Sequence, residues 1–147
     1  MRARTAALAF AAALVVALAV PLIASAGTPL TAHLTGNQIV NPNGGAPNGS
    51  ASVVLKVNRV ERRICFTINY KGLTKVTGAH LHKGNAGQIA RPIVTLFSGS
   101  NASPAKGCVK GLKQRIVKRL KRKPSQHYVD IDTKKYPNGA VRGQLSR

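Results

Sequence analysis

Residues 78–84 read Gly78-Ala79-His80-Leu81-His82-Lys83-Gly84. Ala79 and Leu81 alternate with His80 and His82, the period of two that belongs to a strand, so both imidazoles project from one face. The same period runs outward along the chain. Ser50 to Val57 places Ala51, Val53, Leu55 and Val57 on one face. Ile64, Phe66, Ile68 and Tyr70 alternate with Cys65, Thr67 and Asn69, and Thr31 to Thr35 alternates around Ala32 and Leu34. Further strands are predicted over Val76–His82, Ile93–Phe97, Tyr128–Thr133 and Ala140–Leu145. Turn clusters separate them: Asn41-Pro42-Asn43-Gly44-Gly45, Asn48-Gly49, Ser98-Gly99-Ser100-Asn101 and Pro137-Asn138-Gly139. Seven short strands at this spacing predict an all-β antiparallel sandwich, with no internal repeat and no second domain.

One segment departs from that period. Val109, Leu112, Ile116 and Leu120 recur at helical spacing from Val109 to Lys123, with Val117 at the edge of the arc and Pro124 as the stop. Arg115, Lys118, Arg119 and Arg122 fall at i, i+3, i+4 and i+7 and make a basic stripe on another face, joined by Lys113, Lys121 and Lys123. The sequence therefore predicts one short amphipathic helix on a β-sandwich. Its charges form either a solvated face or a docking surface.

The chain has 23 Lys and Arg against 3 Asp and Glu, a formal net charge of +20. Only Glu61, Asp130 and Asp132 oppose it. Such an excess points to an anionic polymer, an envelope surface or acidic lipid headgroups as partner, or to bulk solubility alone. Sequence-specific nucleic-acid readout is not expected, since the chain lacks tryptophan and has few aromatics for stacking.

Arg2 and Arg4 precede an uncharged Ala/Val/Leu-rich run from Thr5 to Ala26, and Ala24-Ser25-Ala26 offers a small-x-small cleavage site. Residues 1–26 read as a secretory signal peptide and 27–147 as one exported domain, without a transmembrane segment in the mature chain. An uncleaved anchor is the competing reading. Cys65 and Cys108 are the only cysteines, and in an oxidising compartment they predict a structural disulfide. Free thiols or a metal pair are the alternatives, but neither cysteine carries C-x-x-C spacing.

Motifs for chemistry are few. There is no Gly-x-Ser-x-Gly and no P-loop. Asp130 and Asp132 share a strand face, as a hydrolase carboxylate pair does, although in so basic a chain they read more simply as ion-pair partners. A non-enzymatic protein is expected, with no required cofactor. His80 and His82 suggest a zinc or copper site as the alternative. Nothing in the spacing draws His33 or His127 into it.

The chain resembles the chordin-type (CHRD) domain family along most of its length. The resemblance is carried by Leu34-Thr35-Gly36-Asn37-Gln38, by Arg63-Ile64-Cys65-Phe66-Thr67-Ile68 and by Lys71-Gly72-Leu73. It continues through Gly78 to Gly84, Ala86-Gly87, Arg91-Pro92-Ile93-Val94, Gly107-Cys108-Val109, Pro124-Ser125, Tyr128-Val129 and Pro137 to Leu145. It implies an immunoglobulin-like or Cu,Zn superoxide dismutase-like β-sandwich and a secreted binding or structural module. Two positions depart from the family pattern. Ile39 stands where an acidic residue is common, and Asp132 where a histidine is common. If that histidine ligates metal in relatives, this chain offers His80, His82 and Asp132, two imidazoles and a carboxylate suited to zinc, copper or iron. Dismutase activity is not implied, because a shared fold does not carry a reaction.

Overall fold

The computed structural model describes residues 28–147. The predicted signal peptide over residues 1–26 and its expected cleavage site lie outside the described residues. Eight strands form one antiparallel sheet: β1 (Leu30–Thr35), β2 (Ser50–Asn58), β3 (Arg63–Lys71), β4 (Val76–Lys83), β5 (Pro92–Ser98), β6 (Ala105–Val109), β7 (His127–Thr133) and β8 (Val141–Gln144). Their order is β5-β4-β7-β8-β1-β2-β3-β6. The sheet coils until its edges β5 and β6 face each other, and Phe66 on β3 meets Phe97 on β5 with ring centroids 6.1 Å apart. The result is a nearly closed, barrel-like all-β fold with one short helix.

Alternation explains the core. Ala51, Val53 and Leu55 of β2 and Ile64, Phe66 and Ile68 of β3 are buried, while Ser52, Lys56 and Asn69 point outward. Leu34, Leu81, Val129, Ile131 and Val141 complete the interior from the other strands. Strand β7 differs, for it is buried on both faces: Val129 and Ile131 enter the core, and Tyr128 and Asp130 are covered on the opposite side. That second covered face is where the polar site lies.

The predicted helix is shorter than its hydrophobic period suggested. Helix α1 spans Gln114–Arg122, and Val109 belongs instead to β6, an eighth strand the sequence reading did not contain. The physical reason is Gly107. It lies directly opposite Phe66, and a Cβ there would sit 2.8 Å from the ring, so the glycine makes room for the aromatic at the cost of an apolar alternation signal. Within α1, Val117 and Leu120 are fully buried and Ile116 is partly so. Leu112 joins the core from the preceding turn, and its N–H donates to the Arg62 carbonyl at 3.0 Å. Arg119, Lys121 and Arg122 in the last turn complement the negative end of the helix dipole.

Cys65 and Cys108 form the expected disulfide. They are cross-strand neighbours on β3 and β6, with Cα atoms 3.9 Å apart, on the outer face. The bond ties the edge strand β6, and through it the helix that follows in the chain, to its neighbour β3.

Candidate functional site

Strands β4 and β7 pair with His80 opposite Asp130 and His82 opposite Tyr128, while Asp132 lies opposite Gly78. Residues two apart share a face, so this register gathers two histidines and two aspartates on the outer side of the sheet. Among the described residues, His80, His82 and Asp130 offer ligand atoms that all lie within 4.8 Å of one another. His82 Nε2 is 3.0 Å from Asp130 Oδ2. His80 Nδ1 is 3.0 Å from Asp132 Oδ2 and 3.8 Å from Asp130 Oδ1. The sequence pairs Asp130 with Asp132 and sets Asp132 with the two histidines; the fold places both acids beside imidazoles.

Packing fixes His82 firmly. Its ring stacks on Tyr128, centroids 4.5 Å apart and planes 6° from parallel, and the Arg142 guanidinium lies 3.5 Å over the Tyr128 ring. Arg142 donates to the Gln88 carbonyl at 2.7 Å and the Asn85 carbonyl at 3.0 Å. The Tyr128 hydroxyl accepts from the Ala90 N–H and donates to the Ala90 carbonyl. These bonds hold the 85–90 segment against the sheet as one wall of an open cleft of about 620 Å³, with Ile39 and Pro137 opposite and His80, His82 and Asp130 in its lining.

The hydrogen bond to Asp132 raises the His80 pKa above the usual histidine value, burial works against it, and the charges of Asp132 and Asp130 add to the rise. Asp130 Oδ1 and Asp132 Oδ1 are buried without a hydrogen-bond partner, and the buried His82 Nε2 faces only the Asp130 carboxylate. Each buried acceptor left unmet costs about 1–3 kcal/mol.

His33 is exposed and His127 is remote from this cluster, as the spacing implied. His127 is 1% exposed beneath α1, where Nδ1–H donates to the Lys123 carbonyl at 2.9 Å. Burial pushes its pKa below the ordinary 6.5, and the charges of Arg119 and Lys83 act in the same direction. The unfolded ring thus takes up a proton that the folded ring refuses. The stabilising contribution is complete above pH 6.5 and is lost as pH falls from there through the lowered folded value. Urea unfolding at about pH 7.5 and about pH 5 is expected to show a smaller acid loss in His127→Gln than in the native protein. An equal loss in both would rule out His127 as a source of acid sensitivity.

Arg115, Lys118, Arg119 and Arg122 are all exposed on α1. With Lys83 at the end of β4, Lys123 and Gln126 they border one shallow groove. Sequence reading missed Lys83, because only the tertiary fold brings the end of β4 to the helix. Among the described residues, no carboxylate side chain pairs with this face. Glu61 pairs with Arg63 at 2.7 Å, and both aspartates face the histidines.

A family model described as the CHRD domain matches residues 30–145, nearly all of the described chain. The chain belongs to the CHRD domain family. The match contains both cysteines, the histidine pair and the whole of α1. No curated protein and no solved structure shows a significant match. Among the described residues, no helix of this CHRD domain is long and apolar enough to cross a membrane.

Proposed function

We propose that this CHRD domain is a secreted, non-enzymatic binding module that docks anionic polymers or an anionic envelope surface through the exposed face of α1. One observation carries the reading. Arg115, Lys118, Arg119 and Arg122 lie on one rigid face with no carboxylate side chain within 4.0 Å among the described residues, so their counter-ions come from outside the chain. Clustering on a helix anchored by Val117 and Leu120 concentrates the field more than the same charges dispersed over a barrel. The leader ending at Ala24-Ser25-Ala26, the disulfide and the family's extracellular character support export.

The test uses the exported protein, whose mass should correspond to a chain beginning at Gly27. Duplex DNA serves as a polyanion of known charge spacing. Binding should weaken steeply with salt, the logarithmic slope being about −0.9 for each phosphate neutralised, and should be indifferent to base sequence. Absent binding at low salt, or binding that ignores salt, would contradict the proposal.

A further inference from the structure

The strongest feature outside the basic face is the set of unmet acceptors at the floor of the cleft. His82 is 6% exposed, and its Nδ1 is 2.8 Å from the Ala90 carbonyl, which can only accept, so Nδ1 carries the hydrogen. In the neutral ring Nε2 is then a lone pair, and it faces the Asp130 carboxylate at 3.0 Å. Two acceptors pointing at each other repel unless a cation lies between them. A ring whose second nitrogen donates to a backbone carbonyl is also the arrangement that orients a metal-ligating histidine.

The donor spacings fit an ion. Ligands about 2.0–2.1 Å from a tetrahedral metal lie about 3.3 Å from one another. The separations here are 3.0 Å from His82 Nε2 to Asp130 Oδ2, 3.8 Å from His80 Nδ1 to Asp130 Oδ1 and 3.0 Å from His80 Nδ1 to Asp132 Oδ2. The ligand atoms of His80, His82 and Asp130 all lie within 4.8 Å of one another, with Asp130 turning a different oxygen to each imidazole. Arg142 opposes a cation by charge, and it lies opposite Asp130 in the ladder, but its guanidinium is committed to the Gln88 and Asn85 carbonyls. Two carboxylates outweigh it.

We propose that His80 Nδ1, His82 Nε2 and the Asp130 carboxylate bind one divalent transition-metal ion, Zn²⁺ or Cu²⁺, with Asp132 as a supporting carboxylate beside His80. Asp130 is central because it approaches both imidazoles, whereas Asp132 approaches only His80. Imidazole nitrogen with carboxylate oxygen suits these borderline ions better than calcium or magnesium, which take all-oxygen sites. The site is independent of the polyanion face.

The experiment titrates the disulfide-intact protein, stripped with chelator, with Zn²⁺ by calorimetry and with Cu²⁺ by electron paramagnetic resonance. One equivalent of Zn²⁺ should bind, and the Cu²⁺ spectrum should show coupling to two nitrogens. Asp132→Asn should weaken Zn²⁺ binding about 10–100-fold, the scale of losing a supporting carboxylate. Asp130→Asn should weaken it more, and so should His80→Asn. His80 is only partly buried, so this variant tests the site without emptying the space His82 fills. No uptake of either ion by the native protein would overturn the proposal. So would one-nitrogen coupling, undiminished binding in His80→Asn, or a larger loss in Asp132→Asn than in Asp130→Asn.

Discussion

Replacing Cys65 and Cys108 together by alanine is expected to destabilise the folded domain by about 4 kcal/mol. The bond closes a loop of sequence separation 43, and the chain-entropy account of cross-linking gives about that figure for a loop of this size. Neither side chain belongs to the core, so the loss does not include a cavity term. The structural consequence should be local at first. Among the described residues β6 is an edge strand paired with β3 alone, and α1 follows it in sequence, so freeing β6 loosens the mount of the basic face. Urea unfolding of the native and double-alanine proteins measures the difference through the shift in midpoint. A change under about 1 kcal/mol would mean that the ladder alone holds β6.

Gly143→Val should be as damaging for a different reason. β8 closes the sheet onto β1, yet the two share a single register pair, Thr35 with Arg142, supplemented by the Thr31–Ser146 bridge. Between these points β1 passes so close to Gly143 that a Cβ would meet the His33 backbone carbonyl and come within 2.8 Å of Leu34 Cδ1. A backbone group cannot swing aside as a side chain can. The expected cost is about 3 kcal/mol or more, the upper range for overpacking, read from the same unfolding experiment. Amide protection at Thr31 and Ser146, which bond each other across this join at 2.9 and 2.8 Å, should fall with it. A variant within about 0.5 kcal/mol of the native protein would show that the approach is not confining.

The sequence reading was most reliable where one period ran unbroken. Ser50 to Val57, Ile64 to Tyr70 and Tyr128 to Thr133 alternate cleanly, and they are β2, β3 and β7 within a residue or two at each end. It failed where a glycine served packing. Gly107 under Phe66 hid β6, and Val109 then lent its hydrophobicity to a helical pattern that starts only at Gln114. The shared face of His80 and His82 was legible because it depends on one strand alone. Which aspartate approaches them was not, since that depends on the β4–β7 register and no local signal states it. The four helix cations were legible from their spacing, but the contribution of Lys83 to the same groove was not.

If the face of α1, and not total charge, engages polyanions, position on the fold decides what each lost cation costs. The most direct measurement compares two variants that each lose four positive charges. One carries Arg115→Ala, Lys118→Ala, Arg119→Ala and Arg122→Ala, removing the helix stripe. The other carries Lys56→Ala, Arg59→Ala, Lys75→Ala and Lys106→Ala, four exposed cations from strands and turns elsewhere. Both are titrated with duplex DNA over a range of salt concentrations, after circular dichroism and thermal melts have shown them folded. The helix variant should lose up to about 3.6 from the logarithmic salt slope if each residue contacts a phosphate, and the dispersed variant should lose little. Equal losses in the two variants would rule out the helix face as the docking surface and leave bulk charge as the whole explanation.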